Sequence, residues 1–582
     1  MDKRSKWLNI KAVFVCAFLI TFIIFLTNAE PYVRSDGYYY FHTTQCLINE
    51  NNFACTEKPE YWGNMDSYTR NEYQGKYVSV TSPGTAILNT PLLILANLAG
   101  KIVDLNNQYF LAYNGHTLWQ GLVIVLNSII FAFLSLVLIY KALRHLGFSE
   151  KVSLLSVSAS YLSSYAIWYV FLLPIFTHTY EIFAVSLCLF SFLKAKKNPK
   201  YLYLLGSAIG VLVLLRPVLI AIGLFFIIPL VLKKDVKSLI KIVIGGIPFA
   251  VIYFIYNLQS YGSLIASGYD TVRSETFNFQ IFNGFNLLFS SGHGWLIFSP
   301  LMILGILGLV FGLKKMREIS LISLISILAM VVIYGFWPAW SGGGSFGSRF
   351  MIFAVPFISI GVAILLSNQK KIFYQKIILR KLVLVLVILT TFFTLTITAL
   401  YRVVRVNSDN FTPADFIKGE LEYAKKSNSI MDLLSINAKN IQGGSGLLAL
   451  ATGISNEVLQ VQQTASGFSF NLYEPFYLRR SMPDKVEFIL YVRNTNQFYY
   501  GTYNNPAIKD VIEFICNDSV CSSNNLKVEL VKTSDLFTEI KVGEYIGITS
   551  DGNFKIFFKD VENMQFSGNR LDWKPEEGVY KL

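Results

Sequence analysis

The chain has 582 residues, of which 53% are hydrophobic and only 15% are charged. This composition excludes an ordinary soluble protein and indicates a polytopic membrane protein. The formal net charge is +13, but the excess of Lys and Arg lies in loops between apolar stretches, which is a sign of membrane topology and not of a nucleic-acid-binding face. We therefore expect the lipid bilayer, and no nucleic acid, among the partners of this chain.

Apolar stretches long enough to cross about 30 Å of hydrocarbon recur as far as residue 401. Eleven spans are predicted, some of them short, at residues 10–26, 118–140, 152–172, 180–193, 201–215, 218–232, 242–258, 295–313, 319–337, 350–366 and 382–401. The predicted fold class is thus an all-α polytopic membrane bundle. The first stretch also resembles a cleavable signal peptide, but we interpret it as an uncleaved span, because its removal would leave the loop that follows without an anchor.

Basic residues occur in every second connection between the predicted spans, as expected for short cytoplasmic loops. These connections are residues 141–151, 194–200, 233–241, 314–317 and 370–381. With the basic N terminus inside, an odd number of spans places the first long loop, residues 28–117, and everything after residue 401 outside. We therefore predict a multi-pass protein of the plasma (inner) membrane with a cytoplasmic N terminus.

Three predicted outer loops are long or rich in glycine, and they flank one face of the bundle. They are residues 28–117, 257–294 and 341–348. Within the first loop, residues 86–98 are apolar but contain Asn89, Pro91 and Asn97, which favours a helix at the membrane interface or a partly re-entrant helix over a free span.

Four of the six cysteines form close pairs in predicted outer segments, Cys46 with Cys55 and Cys516 with Cys521, and the other two lie within predicted spans. Pairs outside and single cysteines inside fit an oxidising exterior and predict two disulfides, with chance spacing as the alternative. No cysteine and histidine cluster has the spacing of a zinc site. The sequence therefore requires no cofactor, and it leaves open a divalent metal.

After residue 401 the pattern becomes that of a soluble domain with strands. Alternating stretches occur at residues 485–493, 526–532 and 537–548, and Ser-Asp-Gly-Asn at 550–553 is typical of a hairpin turn. We predict two domains. Residues 1–401 form the transmembrane domain, and residues 402–582 form a β-rich (α+β) extracytoplasmic domain, opened by helical segments around 414–434.

Asp36 lies in Ser35-Asp36-Gly37, about ten residues past the first predicted span and before an aromatic run. A carboxylate on a loop outside the bilayer can act as general base for a hydroxyl, and the glycine after it permits close approach of backbone or ligand. The alternative is a carboxylate that caps the following helix.

Two basic residues in the predicted outer loops are candidates for binding phosphate. Lys76 precedes Ser82-Pro83-Gly84, and Arg349 ends the glycine-rich run 342–348. Both can hold an anion at the membrane surface. The alternatives are a snorkelling lysine and a flexible connector that ends in a snorkelling arginine.

His178 and Glu181 are one helical turn apart at the outer end of a predicted span, where ionisable groups are costly and suggest function. A metal-binding pair and a satisfied structural pair both remain open. His293 lies between two glycines, which allow it to face a ligand or to cap a helix. Arg216-Pro217 is most simply a hairpin breaker.

Four patterns together resemble the GT-C class of integral membrane glycosyltransferases, which includes protein O-mannosyltransferases and the lipid A aminoarabinose transferase. They are Arg-Ser-Asp-Gly-Tyr-Tyr at 34–39, residues 77–91 with Ser-Pro-Gly-Thr, Gly-Trp-Leu-Ile-Phe-Ser-Pro at 294–300, and residues 337–356 with Trp-Pro-Ala-Trp and Gly-Ser-Arg-Phe. The resemblance covers residues 6–366.

The resemblance implies a polyprenyl-phosphate-sugar donor and transfer, with inversion, to a hydroxyl of an envelope glycan, lipid or protein. Asp36 then matches the catalytic aspartate of the first loop. Lys76 and Arg349 are the candidates for stabilising the phosphate leaving group, and His293 and His178 are weaker candidates for substrate contacts. Gly37 stands where protein O-mannosyltransferases have a glutamate. A flippase or other transporter for a lipid-linked saccharide, and a non-catalytic envelope assembly protein, are the alternative functions.

Overall fold

The computed structural model describes residues 33, 35–59, 70–102, 110–111, 116–342, 347–367 and 377–403, together with eleven strand segments between residues 459 and 581. The predicted first span at 10–26 and the predicted helical segments around 414–434 lie outside the described residues. The chain divides into two compact units. One takes in Met1–Glu57, Asn71–Gln108 and Trp119–Asn428, and the other takes in Lys58–Arg70, Tyr109–Leu118 and Ser429–Leu582.

In the part of the first unit that the structure describes, the secondary structure is helical apart from two short strands. Its helices are α1 (Gly37–Glu50), α2 (Gly84–Ile102), α3 (Leu118–His145), α4 (Glu150–Leu162), α5 (Ala166–Phe171), α6 (His178–Ala195), α7 (Tyr201–Leu215), α8 (Ile220–Leu232), α9 (Val236–Tyr261), α10 (Gly268–Arg273), α11 (Gly284–Phe289), α12 (Trp295–Phe298), α13 (Leu301–Gly312), α14 (Arg317–Gly335), α15 (Val355–Leu366) and α16 (Ile377–Val403), with 3-10 helices at Pro217–Leu219 and Arg349–Ala354. Strands β1 (Glu72–Tyr73) and β2 (Lys76–Tyr77) pair antiparallel.

The chain is a multi-pass membrane protein. Among the described residues, five helices are long and apolar enough to cross a bilayer: Gln120–His145, Val236–Tyr261, Arg317–Gly335, Arg349–Leu366 and Arg380–Thr398. Four shorter apolar helices accompany them: Gly84–Ala99, Tyr201–Leu215, Pro217–Leu232 and Leu301–Gly312. That the chain has eleven membrane spans remains a prediction.

Two of the predicted continuous spans are interrupted in the structure. The stretch 152–172 is divided between α4 and α5, because Ser164 turns the chain: its hydroxyl donates to the carbonyl of Tyr161 and accepts from the amide of Ala166. The stretch 295–313 is divided between α12 and α13 at Ser299-Pro300. In both places the apolar pattern continues across the break, which is why hydropathy alone predicts one helix.

Glycine residues let two pairs of helices approach backbone to backbone. A Cβ on Gly206 of α7 would lie 1.9 Å from the carbonyl oxygen of Ile242 on α9, and a Cβ on Gly245 of α9 would lie 2.0 Å from that of Tyr203. The same holds for Gly361 of α15, whose Cβ would lie 1.8 Å from the carbonyl oxygen of Gly305 on α13. Small residues of this kind are what close packing between membrane helices requires.

Helix α1 is tied at its C-terminal end to the segment that follows it. A disulfide joins Cys46 to Cys55, as predicted, and the backbone of Cys55 pairs with that of Tyr77 in an isolated antiparallel bridge. Phe53, Ala54 and Val78 pack in a buried cluster with Tyr256 and Tyr261 of α9. The parts of the first loop around Phe53 and Val78 are therefore packed against α9.

The second unit contains the short antiparallel pair β3 (Phe110–Leu111) and β4 (His116–Thr117) and the strands after residue 458. These strands are β5 (Leu459–Thr464), β6 (Gly467–Leu472), β7 (Lys485–Val492), β8 (Gln497–Asn504), β9 (Val511–Asn517), β10 (Val520–Ser522), β11 (Lys527–Val531), β12 (Glu539–Val542), β13 (Tyr545–Thr549), β14 (Phe554–Lys559) and β15 (Gly578–Lys581). Nine of them form one sheet in the order β13-β14-β7-β8-β11-β10-β9-β6-β5. Cys516 and Cys521 stand opposite each other in the register of β9 and β10.

Candidate active site

Asp36 occupies the residue position just before α1, but its side chain makes no capping hydrogen bond. Its Oδ2 lies instead 2.6 Å from Nη1 of Arg349. The backbone turns into the helix through bonds from the amides of Tyr38 and Tyr39 to the carbonyls of Ser35 and Asp36. The carboxylate is therefore available for an interaction away from its own helix.

Gly37 permits the close packing that places Asp36. A Cβ at this position would lie 2.7 Å from Cγ2 of Ile175, in the segment between α5 and α6, and 3.5 Å from the ring of Phe176. A larger residue would push the start of α1 away from that segment. The glycine that follows Asp36 thus serves close approach of protein atoms.

Arg349 reaches Asp36 from the beginning of the 3-10 helix Arg349–Ala354. Gly347, two residues earlier, has a φ of +57°, a conformation that L side chains rarely adopt, and a Cβ there would lie 2.4 Å from the ring of Tyr165. The guanidinium of Arg349 lies over the rings of Phe176 and Phe350, 5.9 and 5.3 Å from their centroids. Its Nε has no hydrogen-bond partner among the described residues.

A second ion pair lies beside the first. Nε of Arg216 is 3.0 Å from Oε1 of Glu181, and Nδ1 of His178 is 3.2 Å from the other carboxylate oxygen of Glu181. His178 and Glu181 are fully buried, and the two are held one turn apart at the start of α6. Arg216 also donates to the hydroxyl of Tyr334 at 3.4 Å.

The ring of Phe350 joins the two ion pairs. The guanidinium of Arg216 lies 5.1 Å from its centroid and that of Arg349 lies 5.3 Å from it. Two carboxylates, Asp36 and Glu181, thus face two arginines around one aromatic ring, so that the charges balance in pairs. Such a cluster can exchange one of its carboxylates for a phosphate without leaving an arginine uncompensated.

The surroundings of Asp36 act on its pKa in opposite directions. Burial raises the pKa of the carboxyl, but the charge and hydrogen bond of Arg349, with a further contribution from Arg216, outweigh burial and hold the pKa below its ordinary value of 3.8. Burial, with the negative charge of Asp36 contributing, raises the pKa of Tyr40 to about 12 and that of Tyr269 still further. Asp36 is therefore a carboxylate, and both tyrosines are neutral hydroxyls, at neutral pH.

Lys76 and His293 make their described contacts elsewhere. The ammonium of Lys76 donates to the carbonyl of Gln259 at 2.8 Å. His293 is buried in the turn before α12, where its amide donates to the hydroxyl of Ser290 at 3.0 Å. Of the predicted site residues, the structure therefore joins Asp36 to Arg349 directly and places His178 on the neighbouring ion pair.

Sequence reasoning did not identify Arg216, Tyr269 or Tyr334 as site residues. The sequence places Arg216 directly before Pro217, and that pair is most simply interpreted as a hairpin breaker. One feature of the sequence does point to Arg216. It is one of very few basic residues in the predicted short outer connections.

No family model matches the chain, and no curated protein matches it. Among solved structures, the chain is similar to ArnT from Cupriavidus metallidurans in the apo state, with 11% identity, a TM-score of 0.42, and coverage of 78% of this chain and 73% of that chain. For ArnT bound to undecaprenyl phosphate the identity is 13%, the TM-score 0.41, and the coverage 77% and 76%. The Archaeoglobus fulgidus oligosaccharyltransferase in the apo form has 14% identity, a TM-score of 0.38, and coverage of 86% and 75%.

Proposed function

We propose that this chain is a membrane glycosyltransferase that moves a sugar from a polyprenyl-phosphate-linked donor to a hydroxyl of a cell-envelope glycan, lipid or protein at the outer face of the membrane. The observation that carries the proposal is the 2.6 Å contact between Asp36 and Arg349. This contact brings together a carboxylate and a guanidinium from loops that are far apart in the sequence. The proposed reaction needs both charges.

In the proposed reaction, the oxygen of an acceptor hydroxyl attacks the anomeric carbon of the donor sugar. Its proton passes to the carboxylate of Asp36, while the bond from the anomeric carbon to the phosphate oxygen breaks and its electron pair stays on the polyprenyl phosphate. Attack on the face opposite the phosphate inverts the anomeric centre. Arg349 stabilises the charge that develops on the leaving phosphate.

The resting ion pair also provides a means of activating Asp36. While Asp36 faces Arg349, its lowered pKa makes it a weak base. A donor phosphate that binds the guanidinium competes with Asp36 and neutralises the charge that lowers its pKa, so that the carboxylate becomes more basic when the donor is present. The buried Nε of Arg349, which has no partner among the described residues, offers a further donor to such a phosphate.

The other predicted site residues have supporting roles in the proposal. Lys76 stays the candidate for a second positive charge on the donor phosphate, and its ammonium donates to the Gln259 carbonyl in this structure. His178 holds the Glu181 carboxylate next to Arg216. His293 lies at the entry to α12 as a candidate for contact with the sugar or the acceptor.

The proposal includes an architecture of about eleven spans in residues 1–401 and a β-rich extracytoplasmic domain in residues 402–582. The strand segments between 459 and 581 support the second part. The alternation of basic and bare connections supports a cytoplasmic N terminus in the plasma (inner) membrane.

Substitution of Asp36 by Asn tests the proposal, because it removes the base and keeps the shape of the side chain. Membranes from a strain that lacks the chain, complemented with each variant, would be supplied with labelled polyprenyl-phosphate sugars, and label in envelope material would be measured. We expect Asp36→Asn to lower transfer by about 10²–10⁴-fold, the usual contribution of a general base.

The control is the variant Asp270→Asn. Asp270 is an exposed residue on α10, and its substitution should leave transfer unchanged. Both variants must reach the membrane in equal amounts and keep the thermal stability of the parent. Full transfer by a folded Asp36→Asn chain would contradict the enzyme assignment and favour a transporter or an assembly protein. The glycans missing from the deletion strain would identify the sugar.

A further inference from the structure

A group of large apolar side chains is exposed on the segment that joins α10 to α12. They are Phe279, Ile281, Phe282, Phe285 and Phe289, with relative exposures of 77%, 57%, 52%, 71% and 42%. We call these five side chains the aromatic surface. Neighbouring large apolar side chains of this number are uncommon on a surface that faces water, and they indicate contact with an apolar partner.

We propose that the aromatic surface inserts into the lipid leaflet at the C-terminal end of α14 and so anchors this loop to the membrane. The sequence has no Asp, Glu, Lys or Arg between Glu275 and Lys314, so no charged side chain of the segment opposes its entry into lipid. Phe and Leu are typical of faces that enter the boundary between head groups and acyl chains. Composition and exposure therefore both favour lipid as the partner.

The segment is attached to the end of a candidate membrane span. The amide of Asn283 donates to the carbonyl of Gly335 at 2.6 Å, and the amide of Asn278 donates to the carbonyl of Phe336 at 2.9 Å. Gly335 is the last residue of the candidate span Arg317–Gly335. These two bonds hold the aromatic surface at the level where that span leaves the hydrocarbon.

The backbone of the segment suits a lipid environment, although only its last part, Gly284–Phe289, is helical. Besides the two amides bonded to the end of α14, the amide of Gln280 donates to the side-chain oxygen of Asn278 at 3.0 Å. The amide of Ile281 donates to the carbonyl of Asn278. Unpaired amides are what keeps irregular backbone out of lipid, so these bonds permit the segment to lie at the hydrocarbon boundary.

Helix α11 has one side against protein and one side facing away from it. Gly284 and Leu287 are buried. Phe285 and Phe289, one turn apart, are exposed, and their ring centroids are 4.9 Å apart. The two rings therefore form an apolar side that lipid can cover.

Ring contacts connect the aromatic surface to the candidate active site. The centroids of Phe279 and Phe277 are 6.4 Å apart, and that of Phe277 is 5.2 Å from that of Trp337. Trp337 in turn lies 5.6 Å from Tyr269, which belongs to the candidate site. Insertion of the aromatic surface thus places lipid at the end of this series of rings, an arrangement that suits a substrate carried by a lipid.

The test uses the full-length chain reconstituted in phosphatidylcholine vesicles. Phe279→Cys and, separately, Phe285→Cys are labelled with a small maleimide fluorophore, and the parent chain is labelled in parallel to measure the signal from its native cysteines. Asp270→Cys is the control, because Asp270 is charged and exposed on α10. Quenching is measured with phosphatidylcholine brominated on its acyl chains and with aqueous iodide on both sides of the bilayer. Each labelled chain must keep the thermal stability of the parent.

We expect brominated lipid to lower the emission of the labels at positions 279 and 285 by about twofold or more, because an interfacial segment reaches roughly 5–10 Å into the boundary between head groups and acyl chains. Iodide should leave these two labels unchanged and should quench the label at position 270. Quenching at 279 and 285 by iodide would show that water covers the aromatic surface, and quenching by neither agent would show that protein covers it. Either result would overturn the proposal.

Discussion

Asp36 shows how two readings of one residue are separated only by its surroundings. A carboxylate before a helix is ordinarily a cap, and Asp36 does occupy that position. Its side chain nevertheless makes no capping bond and contacts Arg349. The residue type and the place in the chain were readable from the sequence, but the partner comes from a loop more than three hundred residues away.

The ion pair predicts how transfer depends on pH. Asp36 acts as a base only when deprotonated, and its pKa lies below 3.8, so acid should not reduce kcat/KM of the parent chain until the pH falls below that value. Arg349→Met removes the main positive charge that lowers the pKa of Asp36, while burial, which raises that pKa, remains. We expect the acid limb of kcat/KM to move up by about 1–3 pH units in this variant, together with a lower maximum.

Pre-steady-state or steady-state transfer assays over a pH series would measure this shift. Arg317→Met removes an exposed arginine elsewhere in the chain and should leave the profile unchanged, whereas Arg349→Lys retains a positive charge and should shift it less. An unchanged acid limb in a folded Arg349→Met chain would mean that Asp36 is not the titrating base.

The helices show where hydropathy succeeds and where it fails. The long spans α3, α9, α14 and α16 agree with apolar stretches of the sequence to within several residues. The interruptions after α4 and α12 are invisible to hydropathy, because one or two serine or proline residues hardly lower the mean hydropathy of a stretch that is apolar on either side. The first is caused by the hydrogen-bonded turn at Ser164, and the second lies at Ser299-Pro300, where proline has no N–H to continue the helix.

Close packing of α7 against α9 predicts different outcomes for two adjacent glycines. A Cβ on Gly245 would lie 2.0 Å from the backbone oxygen of Tyr203, whereas a Cβ on Gly246 would meet nothing nearer than the carbonyl oxygen of Gly206 at 3.5 Å. Gly245→Ala should therefore destabilise the fold by roughly 1–3 kcal/mol, since backbone cannot move aside as a side chain can.

Gly246→Ala is the matched control, and it should be neutral or stabilise α9 by up to about 1 kcal/mol, because alanine favours helix more than glycine does. Denaturant titration in detergent would measure both. If the two variants had equal free energies of unfolding, α7 and α9 would not be packed as described.

At the scale of the whole molecule, the alternation of basic and bare connections predicts which side of the membrane each loop faces. The candidate site is consistent with that pattern, because Asp36, Arg216 and Arg349 all come from segments predicted to lie outside. A reaction on an envelope acceptor needs these three segments to face outside. The side of the membrane that they face can be tested without an enzyme assay.

Cysteine labelling provides that test. Ser263, after α9, and Lys197, after α6, are both exposed. We expect Ser263→Cys to react with a membrane-impermeant maleimide in intact spheroplasts at several times the background of the parent chain, and Lys197→Cys to react only after permeabilisation. The reverse pattern would place the candidate site in the cytoplasm and contradict the proposed acceptor class.

The sequence by itself determined the membrane class and most of the long spans, and it predicted the Cys46–Cys55 pairing and the candidacy of Asp36 and Arg349, because each depends on composition or on short-range spacing. Only the tertiary structure decided that Asp36 pairs with Arg349, that Glu181 and His178 hold Arg216, and that both arginines contact Phe350. The physical reason is that ion pairs between distant loops depend on how helices pack, and neither hydropathy nor periodicity contains that information.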